Sequence, residues 1–113
     1  MGSELVEIVK EHLLEEGGMS TDELIVFLKE TSVQLKVSLD ALDEGIDEGQ
    51  FETVVSSARM LKGSLINLGL EEMSQIAGNL EAAAVNTSPL YLSCYHMRLR
   101  KGLTSLLDYA DKN

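Results

Sequence analysis

Arg59, Lys62, Gly63 and Ile66 lie three or four residues apart, the spacing that stacks side chains on one face of a helix. Two cations one turn apart, followed by a residue with no side chain, suit contact with an anion. Lys62 can balance a phosphoryl group or a partner's carboxylates through charge-assisted hydrogen bonds, and Gly63 opens the helix surface to close approach by another body. A mid-helix glycine costs about 1 kcal/mol relative to alanine, so Gly63 on an exposed stripe calls for a reason other than stability. A second stripe, Val54, Ala58, Leu61, Leu65 and Leu68, repeats with the helical period and belongs to a core. Arg59 points away from that stripe and is expected to face solvent. What the exposed stripe lacks is a nucleophile. Imidazole offers a nitrogen lone pair at neutral pH, whereas a guanidinium, with a pKa above about 12, does not.

The order Ala58-Arg59-Met60-Leu61-Lys62-Gly63-Ser64, then Asn67-Leu68-Gly69, then Leu80-Glu81, resembles histidine-containing phosphotransfer (HPt) domains of bacterial two-component phosphorelays. The resemblance covers roughly Ser20 to Leu107 and includes Phe27-Leu28-Lys29-Glu30-Thr31 and the turn Asp47-Glu48-Gly49-Gln50-Phe51. In that family the position of Arg59 is the histidine that carries the phosphoryl group between receiver-domain aspartates. The resemblance therefore implies a pseudo-HPt, a non-catalytic relative that uses no cofactor or metal. Its partner would be a response-regulator receiver domain or a histidine kinase. The implied docking face gathers Arg59, Met60, Lys62, Gly63, Ser64, Ile66, Asn67 and Leu70, with Met60, Ile66 and Leu70 as the apolar patch around the phosphoacceptor position.

Neither of the other histidines makes a good phosphoacceptor. His12 is followed by Leu13-Leu14-Glu15-Glu16, bulky and acidic, and falls in register with Leu5 for a partly buried packing role. His96 sits among Tyr95, Met97, Arg98 and Arg100 but lacks a small residue one turn on. Other motifs also fail. With Gly45 at the sixth position of a calcium loop, the third would be Leu42 and the twelfth Phe51, neither of which offers an oxygen ligand. Asn86-Thr87-Ser88 reads as a turn and cap rather than a glycosylation acceptor. No cysteine and histidine spacing suits zinc, and no glycine-rich loop follows a strand.

A chain of 113 residues has room for one domain, burying about two thirds of its unfolded surface. The formal net charge of -10 argues against nucleic acid or an anionic membrane as partner. The one cysteine, Cys94, excludes an intramolecular disulfide, fits a reducing compartment and is expected to serve packing. Without an apolar run of spanning length or a leader pattern, the chain reads as soluble and cytoplasmic. The oligomeric state stays open, with a monomer expected.

The elements that would position the Arg59 stripe follow from punctuation. Ser3 can cap a first helix from about Glu4 to Glu16, ended by Gly17-Gly18. Ser20-Thr21-Asp22-Glu23 forms a capping box that opens a second helix with Leu24, Phe27 and Leu28. Thr31-Ser32-Val33 are poor helix formers that either kink this helix or are traversed. Leu35, Leu39, Leu42 and Ile46 continue its seam to a stop at Gly49. The helix bearing Arg59 follows and ends at Gly69. Glu71 and Glu72 favour the next N-terminus, with Met73, Ile76, Ala77, Leu80 and Ala84 inside. Ser88 as cap and Pro89 as first residue open a last helix carrying Leu92, Tyr95, Leu99, Leu103, Leu106 and Ala110. The expected fold is all-α: an antiparallel up-and-down four-helix bundle over residues 20–113 preceded by a helix and Gly-Gly linker over 1–19, a single domain overall.

Three functions remain open. The first is an HPt-like module that binds without relaying phosphate. The second is an active phosphotransfer protein whose native residue 59 is histidine, and the third a purely structural or oligomerisation bundle.

Overall fold

The computed structural model describes residues 2–86 and 89–113. The first helix starts at Gly2, so Ser3 falls within it and not at its cap, and the cap expected from Ser88 lies outside the described residues. Five α-helices follow one another: α1 (Gly2–Glu11), α2 (Thr21–Glu48), α3 (Phe51–Asn67), α4 (Glu71–Val85) and α5 (Pro89–Lys112), and among the described residues there is no strand.

The first helix does not simply run to Glu16. Past Glu11 it widens into a π-helical turn, His12–Glu16, in which Gly17 donates its backbone N–H to the His12 carbonyl at 3.0 Å. A Cβ at Gly17 would stand 2.7 Å from the Leu13 carbonyl oxygen, so the turn closes this tightly only around glycine. At α2 the capping box is present: Glu23 donates its N–H to Ser20 Oγ at 3.2 Å, and Ser20 donates its own to Glu23 Oε1 at 3.1 Å. These hydrogen bonds from Ser20 hold the Glu23 carboxyl below its ordinary value.

Helix α2 passes through Thr31-Ser32-Val33 without a break. Its packing face, with Leu24, Leu28, Leu35, Leu39 and Leu42 all buried, outweighs the weak local propensity, because tertiary packing supplies most helical stability. Its 28 residues, at about 1.5 Å each, account for the 42 Å long axis of the molecule. Helix α2 packs on α3, α3 on α4, α4 on α5, and α5 back on α2, while α1 lies against α5. Val6, Val9 and Leu13 join the same buried cluster as the leucines of α2 to α5, so the core is continuous across the Gly17–Gly18 turn.

The α2–α5 seam carries charge on its outer side. Lys36 pairs with Asp111 at 2.8 Å and Arg100 with Asp40 at 3.0 Å. Beneath them His96 is buried, which closes it to phosphate. Its Nε2 lies 3.4 Å from Arg100 Nε, which donates toward it, and its Nδ1 lies 3.9 Å from Asp43. Burial pushes the imidazole below the usual histidine range; Asp43, the Leu39 backbone and Asp40 pull it up, and Arg100 adds to the depression. The unfolded chain therefore binds the extra proton more readily than the fold. The stability gained by keeping His96 neutral is complete above about pH 6.5 and is lost as pH falls below it. Thermal unfolding should show a lower midpoint at pH 5 than at pH 7, and His96→Gln should flatten that difference.

Cys94 is exposed, not packed as its composition suggested, because it falls on the solvent side of α5 while Leu92, Leu99, Leu103 and Leu106 take the inner side. No helix among the described residues is long and apolar enough to cross a membrane.

Candidate functional site

Helix α3 divides cleanly into two faces. Val54, Ala58, Leu61 and Leu65 are fully buried, and with them the helix is clamped between α2 and α4. On the other side Arg59, Met60, Lys62, Gly63, Ile66 and Asn67 are exposed, with Ser64 half-buried at the margin. This is the division that the two sequence stripes call for. Met60 and Ile66 are each more than half exposed, at 56% and 53%. A Cβ built on Gly63 would meet nothing within 4 Å, so no internal contact demands glycine there. Gly63→Ala is therefore expected to stabilise the chain by about 0.5–1 kcal/mol, the helix-propensity difference with no clash to offset it, measurable as a higher urea midpoint.

Leu70 does not belong to the exposed face. It is 4% exposed and part of the core, because the helical register that would place it beside Ile66 ends at Asn67. The chain then turns: Gly69, at φ 78, donates its N–H to Ile66, and Leu70 donates to Leu65 at 2.9 Å. This is the Schellman arrangement, which carries the following apolar residue inward against the helix it has just left.

Arg59 is held from the neighbouring helix. Its Nε and Nη2 both lie 2.9 Å from Oε2 of Glu81 on α4, and Lys62 Nζ stands 3.9 Å from Oε1 of the same carboxylate. The Arg59 side chain is 68% exposed and that of Glu81 only 18%, so the guanidinium lies over the carboxylate with its outer edge in solvent. Glu81 appears in the sequence pattern beside Leu80, but no local spacing signals its pairing with a residue 22 positions earlier, on the preceding helix. Beside Arg59, a shallow groove between α3 and α4 is lined by Phe51, Val55, Ala84 and Val85.

The far end of the face is shared with the first helix. Ile66 and Gly69 border a cleft with Ile8 and His12; Ile8 is 48% exposed and adds an apolar side chain that sequence spacing could not place there. His12 is half-buried, its Nδ1 2.8 Å from Glu16 Oε2. It packs its ring against Gly69, where a Cβ would stand 2.6 Å from His12 Cγ. His12 thus borders only the far end of this face, and His96 is buried at the α2–α5 seam. Among the described residues no group of histidine, cysteine and acidic side chains is arranged to hold a metal ion.

Chemically, the face offers two cations over one carboxylate, an open glycine and flanking apolar side chains. It offers charge and shape complementary to an anion or an acidic surface, while the Arg59 guanidinium, protonated at neutral pH, is not itself a phosphoryl acceptor. No family model, no curated protein and no solved structure matches the chain.

Proposed function

We infer that the chain is an HPt-like signalling module of a two-component phosphorelay, which docks a receiver domain or a histidine kinase through α3 without carrying phosphate. On this reading α2 to α5 form an antiparallel up-and-down bundle. Their cyclic order of packing and the short turns at Gly49–Gln50 and Leu68–Leu70 support that arrangement, since short loops join antiparallel neighbours. The helix α1 is an addition to it.

The observation that carries the functional reading is the exposure of Arg59, 68% of its side chain, on the same face as a glycine with open space around it. Receiver domains present a cluster of aspartates, in keeping with the family resemblance, and a fixed cation can enter such a cluster where a phosphohistidine otherwise would. A charge-assisted hydrogen bond contributes about 1.5–3 kcal/mol, equivalent to roughly a tenfold to hundredfold change in affinity. Titrating the chain into a labelled receiver domain should therefore give a complex that weakens by that factor in Arg59→Ala. Gly63→Leu, which keeps the helix but fills the open space, should weaken it as well. Equal binding by the parent and both variants would sink the reading.

A further inference from the structure

Resting on that reading, we propose that Arg59 and Lys62 form a two-cation site for a phosphoryl group, the aspartyl phosphate of an activated receiver, and that Glu81 is the internal ligand displaced when it binds. The geometry around Glu81 is that of an occupied oxyanion site. Arg59 engages one oxygen through two nitrogens at 2.9 Å, and Lys62 stands toward the other at 3.9 Å. The cations thus bracket both oxygens of a single anion. The Lys62 contact is too long for a hydrogen bond, so its donors remain free for an incoming oxygen.

Access is from solvent. The Lys62 side chain is 45% exposed, against 18% for Glu81, so an anion arriving from outside meets the cations before the carboxylate. Gly63, one turn past Arg59, leaves room for the peptide that bears the group. A carboxylate brings one charge on two oxygens, whereas a phosphoryl group brings about -1.5 to -2 on three. Exchange of Glu81 for a phosphoryl group therefore raises the charge held by the same two cations by more than exchange for a single carboxylate does. Glu52 borders the same groove as Arg59, and the whole chain carries -10, a field that opposes any anion, so binding rests on close pairing with the two cations. No bond to phosphorus forms or breaks; the exchange is reversible.

The test uses the full chain labelled with nitrogen-15, titrated with inorganic phosphate at constant ionic strength, with sodium chloride as reference. The Arg59 Nε–H and Gly63 N–H signals report binding. Glu81→Gln, which keeps the side-chain shape, should bind phosphate about fivefold tighter than the parent, the factor expected for losing a competing partly exposed ion pair, and Arg59→Ala should lose the response. Equal affinity in the parent and Glu81→Gln, identical shifts in chloride, or no shift in Glu81→Gln would each overturn the proposal. A second arm compares a receiver domain with and without beryllofluoride, which imitates the aspartyl phosphate; tighter binding of the loaded form is expected. Equal binding of both forms overturns the phosphoryl assignment while leaving receiver docking intact. Binding of neither form removes the docking reading, and the assignment falls with it.

Discussion

Gly69→Ala should lower the stability of the chain by about 2–5 kcal/mol, read as a drop in urea midpoint. Two separate effects add at this position. The backbone sits at φ 78, a left-handed conformation that costs a residue with a Cβ about 1–2 kcal/mol. The added Cβ would also stand 2.6 Å from His12 Cγ and 2.9 Å from both Cβ and Nδ1 of the same residue. These are not the distal atoms of a flexible side chain, so either the first helix or the α3–α4 turn must move, an overpacking effect of about 1–3 kcal/mol. Gly49→Ala separates the two, because Gly49 has nearly the same φ, 70, and nothing within 4 Å of its Cβ position. It should lose only the backbone part. Truncation of His12 to alanine in the Gly69→Ala background removes the ring but leaves Cβ in place, so it should recover some of the excess and not all of it.

The second large effect lies on α3 itself. Leu61 is fully buried, and Leu61→Ala should cost about 2–5 kcal/mol through lost burial and the cavity left behind. Arg59→Ala, two residues away, removes an ion pair whose cation is mostly in water, and should change stability by only about 0–1 kcal/mol. The contrast separates a folding face from a binding face on one helix. If Arg59→Ala destabilised the chain as much as Leu61→Ala, the Arg59–Glu81 pair would be a structural clamp, and the exposed-anchor reading would lose its basis.

These two positions also show which parts of the molecule could be read from sequence. Local signals were legible because each is enforced within one turn of chain. Ser20 and Glu23 complete each other's hydrogen bonds, Gly49 and Gly69 take the left-handed conformation at helix ends, and the Val54 to Leu65 stripe is buried where its period puts it. What was not legible depends on partners distant in sequence. Glu81 reaches Arg59 across the α3–α4 turn, and His96 is buried because Leu39 and its neighbours on α2 cover it, although its own sequence neighbours are charged. The resemblance puts Leu70 on the exposed face, but the left-handed turn at Gly69 carries it into the core. The π-helical turn at His12 to Glu16 gives no periodic signal. The weak helix formers at Thr31 to Val33 left two outcomes open, and packing of the flanking leucines selects the unbroken helix.

The candidate site was legible in its composition more than in its electrostatics. Arg59, Lys62 and Gly63 share the exposed face that their spacing requires. The carboxylate that holds the two cations, and the apolar contribution of Ile8 from the first helix, come from folding. The site is thus a surface assembled by three elements, although its recognisable motif lies on one.

On the proposed function, this face docks a receiver domain and holds Arg59 where a phosphoacceptor histidine would stand. The most direct measurement is phosphotransfer from a phosphorylated receiver domain to the parent chain and to Arg59→His, with acid-labile label on the chain as readout. No label is expected on the parent and acid-labile label on Arg59→His, because on that reading the docking face lacks only the nucleophile. Label on the parent, or none on Arg59→His with a receiver that the parent binds, would contradict it.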